Sequence, residues 1–232
     1  MNQDINNIDN FEWPKASRID MQTYPRRGLF EHFMDFEVPV VNRTLPIDLT
    51  ALKSFIKENN YQFSLVIGFI LTRAVNHVPE LRHRILDGEL VDYDKIVPAF
   101  TVLSKDKRLF FSKGVFSDVF LEDYRQNLAI NERAAQGLEK HMGADNLGHI
   151  YITINPWNAY TALTFPYTKK FGSVPTFGIG KMYEEGGKIM APLAIQNHHA
   201  LTDGYHIGHF IDIVQCHLDD PRLIEKPFTS VF

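Results

Sequence analysis

Apolar residues recur at helical spacing in four stretches of the chain. The first stretch follows Asp48, an acidic residue suited to capping a helix, and predicts a helix to about residue 60. A nearly continuous apolar stretch predicts a buried helix over 63–77 that ends before Pro79. The charged stretch 118–141, with spaced Phe, Leu and Ile, predicts a half-exposed helix. The stretch from about Gly204 predicts a last helix with one apolar face.

Between these helices the pattern changes to that of strands joined by tight turns. Asp87 and Gly88 separate two short apolar runs, as in a β-hairpin, and 105–107 separate two more. Further strands are predicted over 149–155, 174–183 and 188–198, the last two hinged at Gly186 and Gly187. Helices mixed with hairpins indicate an α/β or α+β two-layer sandwich, that is, a mixed sheet with flanking helices.

The composition is that of a globular chain. It has 232 residues, 44% of them hydrophobic, and a formal charge of −4 without a long block of either sign. This gives no footprint for nucleic acid or for a membrane surface. We expect a polar N-terminal extension over 1–20, without the basic and apolar parts of a secretory signal, and a single domain over 21–232. Cys216 is the one cysteine, so no internal disulfide can form and a cytoplasmic location is expected.

One segment combines a buried strand, a short loop and a helix with side chains that can do chemistry. It runs from Pro192 to Gly204 and contains His198, His199 and Asp203. A histidine titrates near neutral pH, so its neutral ring can take a proton from an attacking hydroxyl and return it later. His199 is therefore a candidate general base, and Asp203, four residues on, is a candidate for ordering its loop.

Two other interpretations fit the same spacing. His198 and His199 also fit a pair of structural histidines at a strand end, followed by an Asp-Gly that caps a helix. Together with His206 and His209 they crowd as metal ligands do. A metal site is disfavoured, because neighbouring strand residues face opposite sides and no cysteine or carboxylate completes a familiar ligand spacing. Spacing alone does not separate a structural pair from a catalytic histidine.

Residues 199–204 read His-x-x-x-Asp-Gly, which resembles the signature of the chloramphenicol acetyltransferases, shared with the acyltransferase cores of 2-oxo acid dehydrogenase complexes. Three further segments, 87–91, 100–102 and 155–157, stand in the order of the former family. The similarity extends from about Tyr24 to Leu218. Because no lipoyl-domain-like region precedes it in this sequence, we expect the chloramphenicol acetyltransferase family rather than a dehydrogenase-complex component.

The resemblance implies the chloramphenicol-acetyltransferase fold and a homotrimer with active sites between subunits. In that family acetyl-CoA is a co-substrate rather than a permanently bound cofactor. Its acetyl group passes directly to a hydroxyl of chloramphenicol or a related small acceptor, which gives antibiotic resistance, and no acyl-enzyme forms.

The resemblance also assigns roles to residues. It makes His199 the base and pairs Asp203 with Arg26 as structural support of the catalytic loop. Phe33, where the family usually has a tyrosine, and Phe110 become aromatic walls of the acceptor pocket. Lys181 aligns with a lysine near bound CoA, although the tyrosine that often follows is Met182 here.

The sequence departs from the family at the oxyanion position. Counted from the Asn-Pro-Trp at 155–157, the serine whose hydroxyl stabilises the tetrahedral intermediate is replaced by Ala162. On a strand, Thr161 would point to the opposite face and Thr164 would lie about 6 to 7 Å away, so neither would replace the serine. We therefore expect a turnover lowered by about a hundredfold to a thousandfold, and raised again by Ala162→Ser.

Two alternatives to acetyl transfer onto chloramphenicol stay open at this point. One is a binding or scaffold protein of the same fold that has lost useful activity, which Ala162 and Met182 suggest. The other is an acyltransferase for a different acceptor. No metal ion, nucleic acid or membrane is expected as a partner.

Overall fold

A computed structural model describes residues 12–138 and 146–228. Its helices are α1 (Arg27–Met34), α2 (Thr50–Asn59), α3 (Phe63–Asn76), α4 (Phe120–Ala135) and α5 (Gly204–Asp219). Its strands are β1 (Ala16–Arg18), β2 (Val40–Asp48), β3 (His83–Leu86), β4 (Glu89–Tyr93), β5 (Val97–Leu103), β6 (Leu109–Lys113), β7 (His149–Ile154), β8 (Thr176–Ile179), β9 (Tyr183–Glu185) and β10 (Lys188–His198). Short 3₁₀ turns cover Pro79–Leu81 and Pro221–Glu225.

The strands form two sheets. The larger has the order β2-β10-β8-β7-β5-β6, with β9 also paired to β10. It is mixed, because β7 runs parallel to β5 and β8 whereas the other pairs are antiparallel. The smaller sheet has the order β1-β4-β3. The predicted mixed sheet with flanking helices is therefore confirmed.

Helices cover one face of the larger sheet. Phe177 of β8 stacks on Phe210 of α5 with ring centroids 5.1 Å apart. Phe100 of β5 packs so closely on α3 that a Cβ at Gly68 would lie 2.5 Å from its ring. Because side chains alternate along strands, the intervening residues point to the opposite face. One cross-strand row of this outer face consists of Thr44, Ala194, Gly178, Thr153, Thr101 and Phe111.

The predicted helices and hairpins agree with these elements. Asp48 precedes α2, and its Oδ1 accepts a hydrogen bond from the backbone N–H of Thr50 at 3.0 Å. The β3–β4 turn contains Asp87 and Gly88, with φ of 51° and 84°, a left-handed conformation that glycine adopts without strain. Helix α3 is buried from Leu65 to Val75, including Arg73, whose guanidinium is 3.0 Å from the carboxylate of Asp118.

Two strand predictions were wrong. The single strand expected over 174–183 is divided into β8 and β9, and both pair with β10. Residues 155–175, which include Ala162, contain no strand. Thr161 and Thr164 therefore do not face opposite sides of a strand.

The N-terminal extension is described only in part. Within it, β1 pairs with β4, so that Ala16 lies opposite Tyr93. Residues 1–11 lie outside the described residues, as do 139–141 at the end of the helix predicted over 118–141; the corresponding α4 ends at Ala135. Within the described ranges, none of the helices has the length and apolar character needed to cross a bilayer.

Candidate active site

The loop between β10 and α5 holds His199 in a fixed backbone position. The backbone N–H of His199 donates to the carbonyl oxygen of Pro39 at 2.7 Å. Ala200 and Leu201, the next two residues, are buried in a small second core with Tyr24, Phe30 and Leu90. Burial of these apolar side chains anchors the loop, whereas His199 itself stays partly exposed.

The surroundings of the His199 ring determine which nitrogen can act as a base. Its Nδ1 lies 3.1 Å from the carbonyl oxygen of Thr202. A carbonyl oxygen only accepts hydrogen bonds, so this contact requires the proton on Nδ1. The neutral ring then carries its lone pair on Nε2, which is free to take a proton from a hydroxyl.

Phe33 fixes the plane of the imidazole. The two rings are stacked, with centroids 4.1 Å apart and an interplanar angle of 23°. Phe33 lies near the end of α1, and Phe36 follows with a centroid distance of 5.3 Å to Phe33. The aromatic residue predicted beside the site therefore contacts the candidate base.

Arg26 and Asp203 form the predicted ion pair, with Nη1 2.5 Å from Oδ2. Asp203 also caps α5, because its Oδ1 accepts the backbone N–H of Tyr205 at 3.0 Å. Burial by itself would raise the pKa of Asp203. The hydrogen bond from Arg26 and the charges of His206 and Arg26 outweigh burial and hold the pKa at about 2. The pair joins the start of α1, the helix that carries Phe33, to the start of α5, the helix that follows the His199 loop.

Stability is expected to depend on this pair in acid. Because the folded state holds the Asp203 pKa at about 2, against 3.8 ordinarily, the stabilisation is complete above about pH 4 and is lost as pH falls towards 2. The melting temperature of the native chain should therefore exceed that of Asp203→Asn at pH 5, and the difference should shrink between pH 4 and 2. A difference that stays constant across this range would contradict the assignment.

His198 fits the structural interpretation and His199 does not. His198 is 5% exposed. Its burial, and to a lesser degree the neighbouring His199, lowers its pKa to about 4, so the ring stays neutral. Its Nδ1 accepts the backbone N–H of Ala200 at 3.3 Å. In the part of the chain that the structure describes, no three His, Cys, Asp or Glu side chains converge as a metal site requires.

The structure places Phe110 away from His199. Phe110 pairs with Val102 and points to the helix side, where a Cβ at Gly137 would lie 3.4 Å from its ring. Phe111, opposite Thr101, points to the outer face and is 47% exposed. A shift of one residue along a strand moves each side chain to the opposite face. The sequence pattern around 108–112 did not show which side chains point to the outer face.

Ala162 and Lys181 are both exposed and lie in irregular segments. The residue after Ala162, Leu163, donates its backbone N–H to Oγ1 of Thr44 at 3.2 Å, which puts Ala162 near the outer-face row. The backbone N–H of Lys181 donates to the carbonyl oxygen of Asn158 at 2.9 Å. Neither residue contacts His199 in this chain.

Sequence reasoning missed a pair of hydroxyls in the outer-face row. Thr101 Oγ1 and Thr153 Oγ1 are 2.9 Å apart, and Thr101 lies opposite Phe111. If Thr101 donates, the hydrogen of Thr153 remains available for a third group. The signal in the sequence is the alternation Ile-Tyr-Ile-Thr-Ile over 150–154, which places Thr153 on the face opposite the isoleucines.

A cavity of about 610 Å³ opens beside the loop. Its walls include Met34, Phe36 and Pro39 on one side and Tyr167, Ser173 and His198 on the other. The volume suits a drug-sized molecule. Phe36 lines this cavity and contacts Phe33, which stacks on His199, whereas Phe33 and His199 are not among the lining residues.

Comparisons with known proteins agree with this geometry. The family model described as chloramphenicol acetyltransferase matches residues 15–215. A chloramphenicol acetyltransferase of Escherichia coli is 31% identical over 207 residues, 87% of this chain and 93% of that protein. One from a Klebsiella species is 32% identical over 208 residues, again 87% of this chain and 93% of the relative.

Solved structures show the same fold. A chloramphenicol acetyltransferase structure has a TM-score of 0.77 at 24% identity and covers 88% of this chain and 100% of its own. A truncated catalytic core of a 2-oxoacid dehydrogenase complex from Thermoplasma acidophilum has a TM-score of 0.62 at 18% identity, over 88% of this chain and 99% of its own. With the family model and these relatives together, the chain belongs to the chloramphenicol acetyltransferase family, a family of acyltransferases.

Proposed function

We propose that this protein transfers an acetyl group from acetyl-CoA to a hydroxyl of chloramphenicol, with His199 as the general base. The observation that carries the proposal is the His199 ring, whose Nδ1 is committed to Thr202 and whose Nε2 is left as a base. Thiol release from acetyl-CoA in the presence of chloramphenicol tests it. No release by the native chain, with CoA binding absent in calorimetry, would instead favour a binding or scaffold protein.

Each step has a proton and a bond to account for. His199 Nε2 takes the proton of the acceptor hydroxyl as its oxygen attacks the thioester carbonyl carbon. The carbonyl oxygen then carries a negative charge until the carbon–sulfur bond breaks. The imidazolium returns the proton to the departing thiolate of CoA, so the enzyme ends in its starting state. Phe33 and the Thr202 carbonyl keep the ring in one orientation throughout.

We propose that the active site is completed by a second subunit of a homotrimer. The outer-face row crosses β10 at Ala194, five residues before His199, which along a strand is about 16 Å. Ala162, Thr153 and Phe111 all lie on or beside this row. A base acts over hydrogen-bond distance, so these residues cannot meet His199 on one substrate within a single chain.

The outer face has features of a surface that a partner covers. Leu103, Leu109 and Phe111 at its edge are large, apolar and exposed. Asn42 and Gln196 lie opposite each other on the same face, and within the described residues their buried side-chain oxygens have no hydrogen-bond partner. Because these oxygens are already inaccessible in the single chain, the exposed apolar edge is the feature that a partner surface would cover.

Mixed trimers test a site shared between subunits. Trimers reassembled from His199→Ala and Thr153→Val subunits contain some interfaces with an intact His199 facing an intact Thr153. Acetyl transfer by the mixture should therefore rise well above that of either variant alone. If each site lay within one chain, two defective subunits could not complement each other and the mixture would show no recovery.

We propose that Thr153 supplies the oxyanion donor that Ala162 lacks. Its hydroxyl is oriented by Thr101, which lies between Thr153 and Phe111 on the outer face, and Phe111 takes the place of Phe110 as the aromatic wall. Lys181 remains our candidate for contact with CoA, since its exposed ammonium suits phosphate groups. We also propose that a single domain over 21–232 performs the transfer and that the protein acts in the cytoplasm. Acetyl-CoA as the donor is consistent with that location.

A further inference from the structure

The ring of His206 lies between carboxylates of two separate segments. Its Nδ1 is 2.8 Å from Oδ1 of Asp203, the residue that caps α5. Its Nε2 is 3.6 Å from Oε1 of Glu80, in the 3₁₀ turn that follows α3. The His206 side chain is only 10% exposed, so its neighbours hold it in this position.

The partners of His206 indicate where its protons lie. Nδ1 is also 3.2 Å from the backbone nitrogen of Asp203, and as an acceptor it would complete a capping box. One nitrogen cannot serve both contacts. A carboxylate oxygen only accepts, so the shorter contact requires a proton on Nδ1. The other ring nitrogen, Nε2, faces the carboxylate of Glu80, so the ring spans the gap between the two carboxylates.

This contact adds a third segment to the two that Arg26 joins. Arg26 ties Asp203 to the start of α1, whose other end places Phe33 on His199. His206 ties the same aspartate to the turn between α3 and β3. Tyr24 and His83 are titratable groups near Glu80, and their ring centroids are 5.9 Å apart.

We infer that His206 and Glu80 are positioning residues for acetyl transfer: by bridging Asp203 to the turn after α3, they hold the loop that carries His199. The inference rests on the proposed function. Neither residue touches His199, and their action passes through Asp203, so loss of the bridge changes the placement of the base rather than the binding of substrates.

The kinetic test uses Glu80→Gln, His206→Gln and the double variant. Each single change should lower kcat by about ten- to a hundredfold, because a displacement of the base near 1 Å has effects of this size. KM for both substrates should stay within about twofold, since substrate contacts are unchanged. The kcat of the double variant should be no lower than that of the single variant with the larger loss, because both changes break one bridge.

The matched control is Glu31→Gln, which removes a carboxylate from an exposed ion pair with Arg27 on α1. Its kcat should stay within about twofold of native. An unchanged kcat in Glu80→Gln, or losses that add in the double variant, would overturn the inference. If His206→Gln does not fold, Glu80→Gln and the measurement below decide.

Nitrogen-15 NMR of the histidine rings gives a readout that needs no substrate. In the native chain the His199 signals should report a single tautomer with the proton on Nδ1. In Glu80→Gln they should shift towards a mixture of tautomers, and unchanged signals would overturn the inference. If the native chain does not acetylate chloramphenicol, the proposed function fails, while this measurement still decides whether the bridge orders His199.

Discussion

Replacing His199 by alanine is expected to lower kcat for acetyl transfer by about a hundredfold to ten-thousandfold. The base that takes the acceptor proton is removed, while the loop keeps its anchors, since Ala200 and Leu201 stay buried and Asp203 stays paired with Arg26. Thiol release from acetyl-CoA with chloramphenicol measures the loss. The variant should bind acetyl-CoA as the native chain does, because no part of that binding is assigned to the ring.

His199→Gln is the companion variant, since it keeps a polar side chain of similar length but offers no titrating nitrogen. It should be as slow as the alanine variant. Melting temperature and oligomer size should match the native chain in both. A native rate in either variant would show that another group takes the proton, and acyl transfer through His199 would have to be abandoned.

The second large effect is expected at Thr153. Thr153→Val keeps the shape of the side chain and removes the hydroxyl, so the negatively charged oxygen of the intermediate loses a donor. Losses of one such donor are about a hundredfold to a thousandfold in kcat. Steady-state kinetics with acetyl-CoA and chloramphenicol measure the loss, and KM should change little because the donor acts mainly on the intermediate.

Two serine variants separate Thr153 from Ala162 as the oxyanion position. Thr153→Ser retains the hydroxyl and should keep most of the native rate. Ala162→Ser should change turnover by no more than about twofold if Thr153 is the donor. A marked rise in Ala162→Ser, together with a native rate in Thr153→Val, would return the oxyanion role to position 162.

The secondary structure followed closely from local pattern where elements are long or turns are distinctive. The stretch 63–77 predicted a buried helix, because its apolar residues are nearly continuous and leave no polar face for solvent. Asp87-Gly88 indicated a hairpin turn because few other residues accept the left-handed backbone found there. The strand assumed around Thr161 and Thr164 is absent, because Leu163 and Phe165 rest on the neighbouring sheet at Gly178 without forming a ladder.

The residues of the candidate site that lie within one loop were predicted from the sequence. His199 and Asp203 belong to one motif, and the resemblance brought Arg26 and Phe33 to them; the structure places all four together. Phe110 stays a prediction as a wall of the acceptor pocket, although its side chain lies on the helix side of β6, because facing depends on a register of one residue. Thr153 was overlooked because its partner, Thr101, is fifty-two residues distant along the chain.

The sequence by itself determined four of the five described helices, most of the strands and the family, and it named His199 as the candidate base, because these depend on periodicity, turn residues and a short motif. Only the tertiary structure decided which nitrogen of His199 is free, which aromatic ring faces outward and which hydroxyls lie in one row. Those properties depend on contacts between distant segments: a carbonyl at Thr202, a strand register at Phe111 and a pairing of β5 with β7. Local sequence carries no information on distances between such segments until the sheet is assembled.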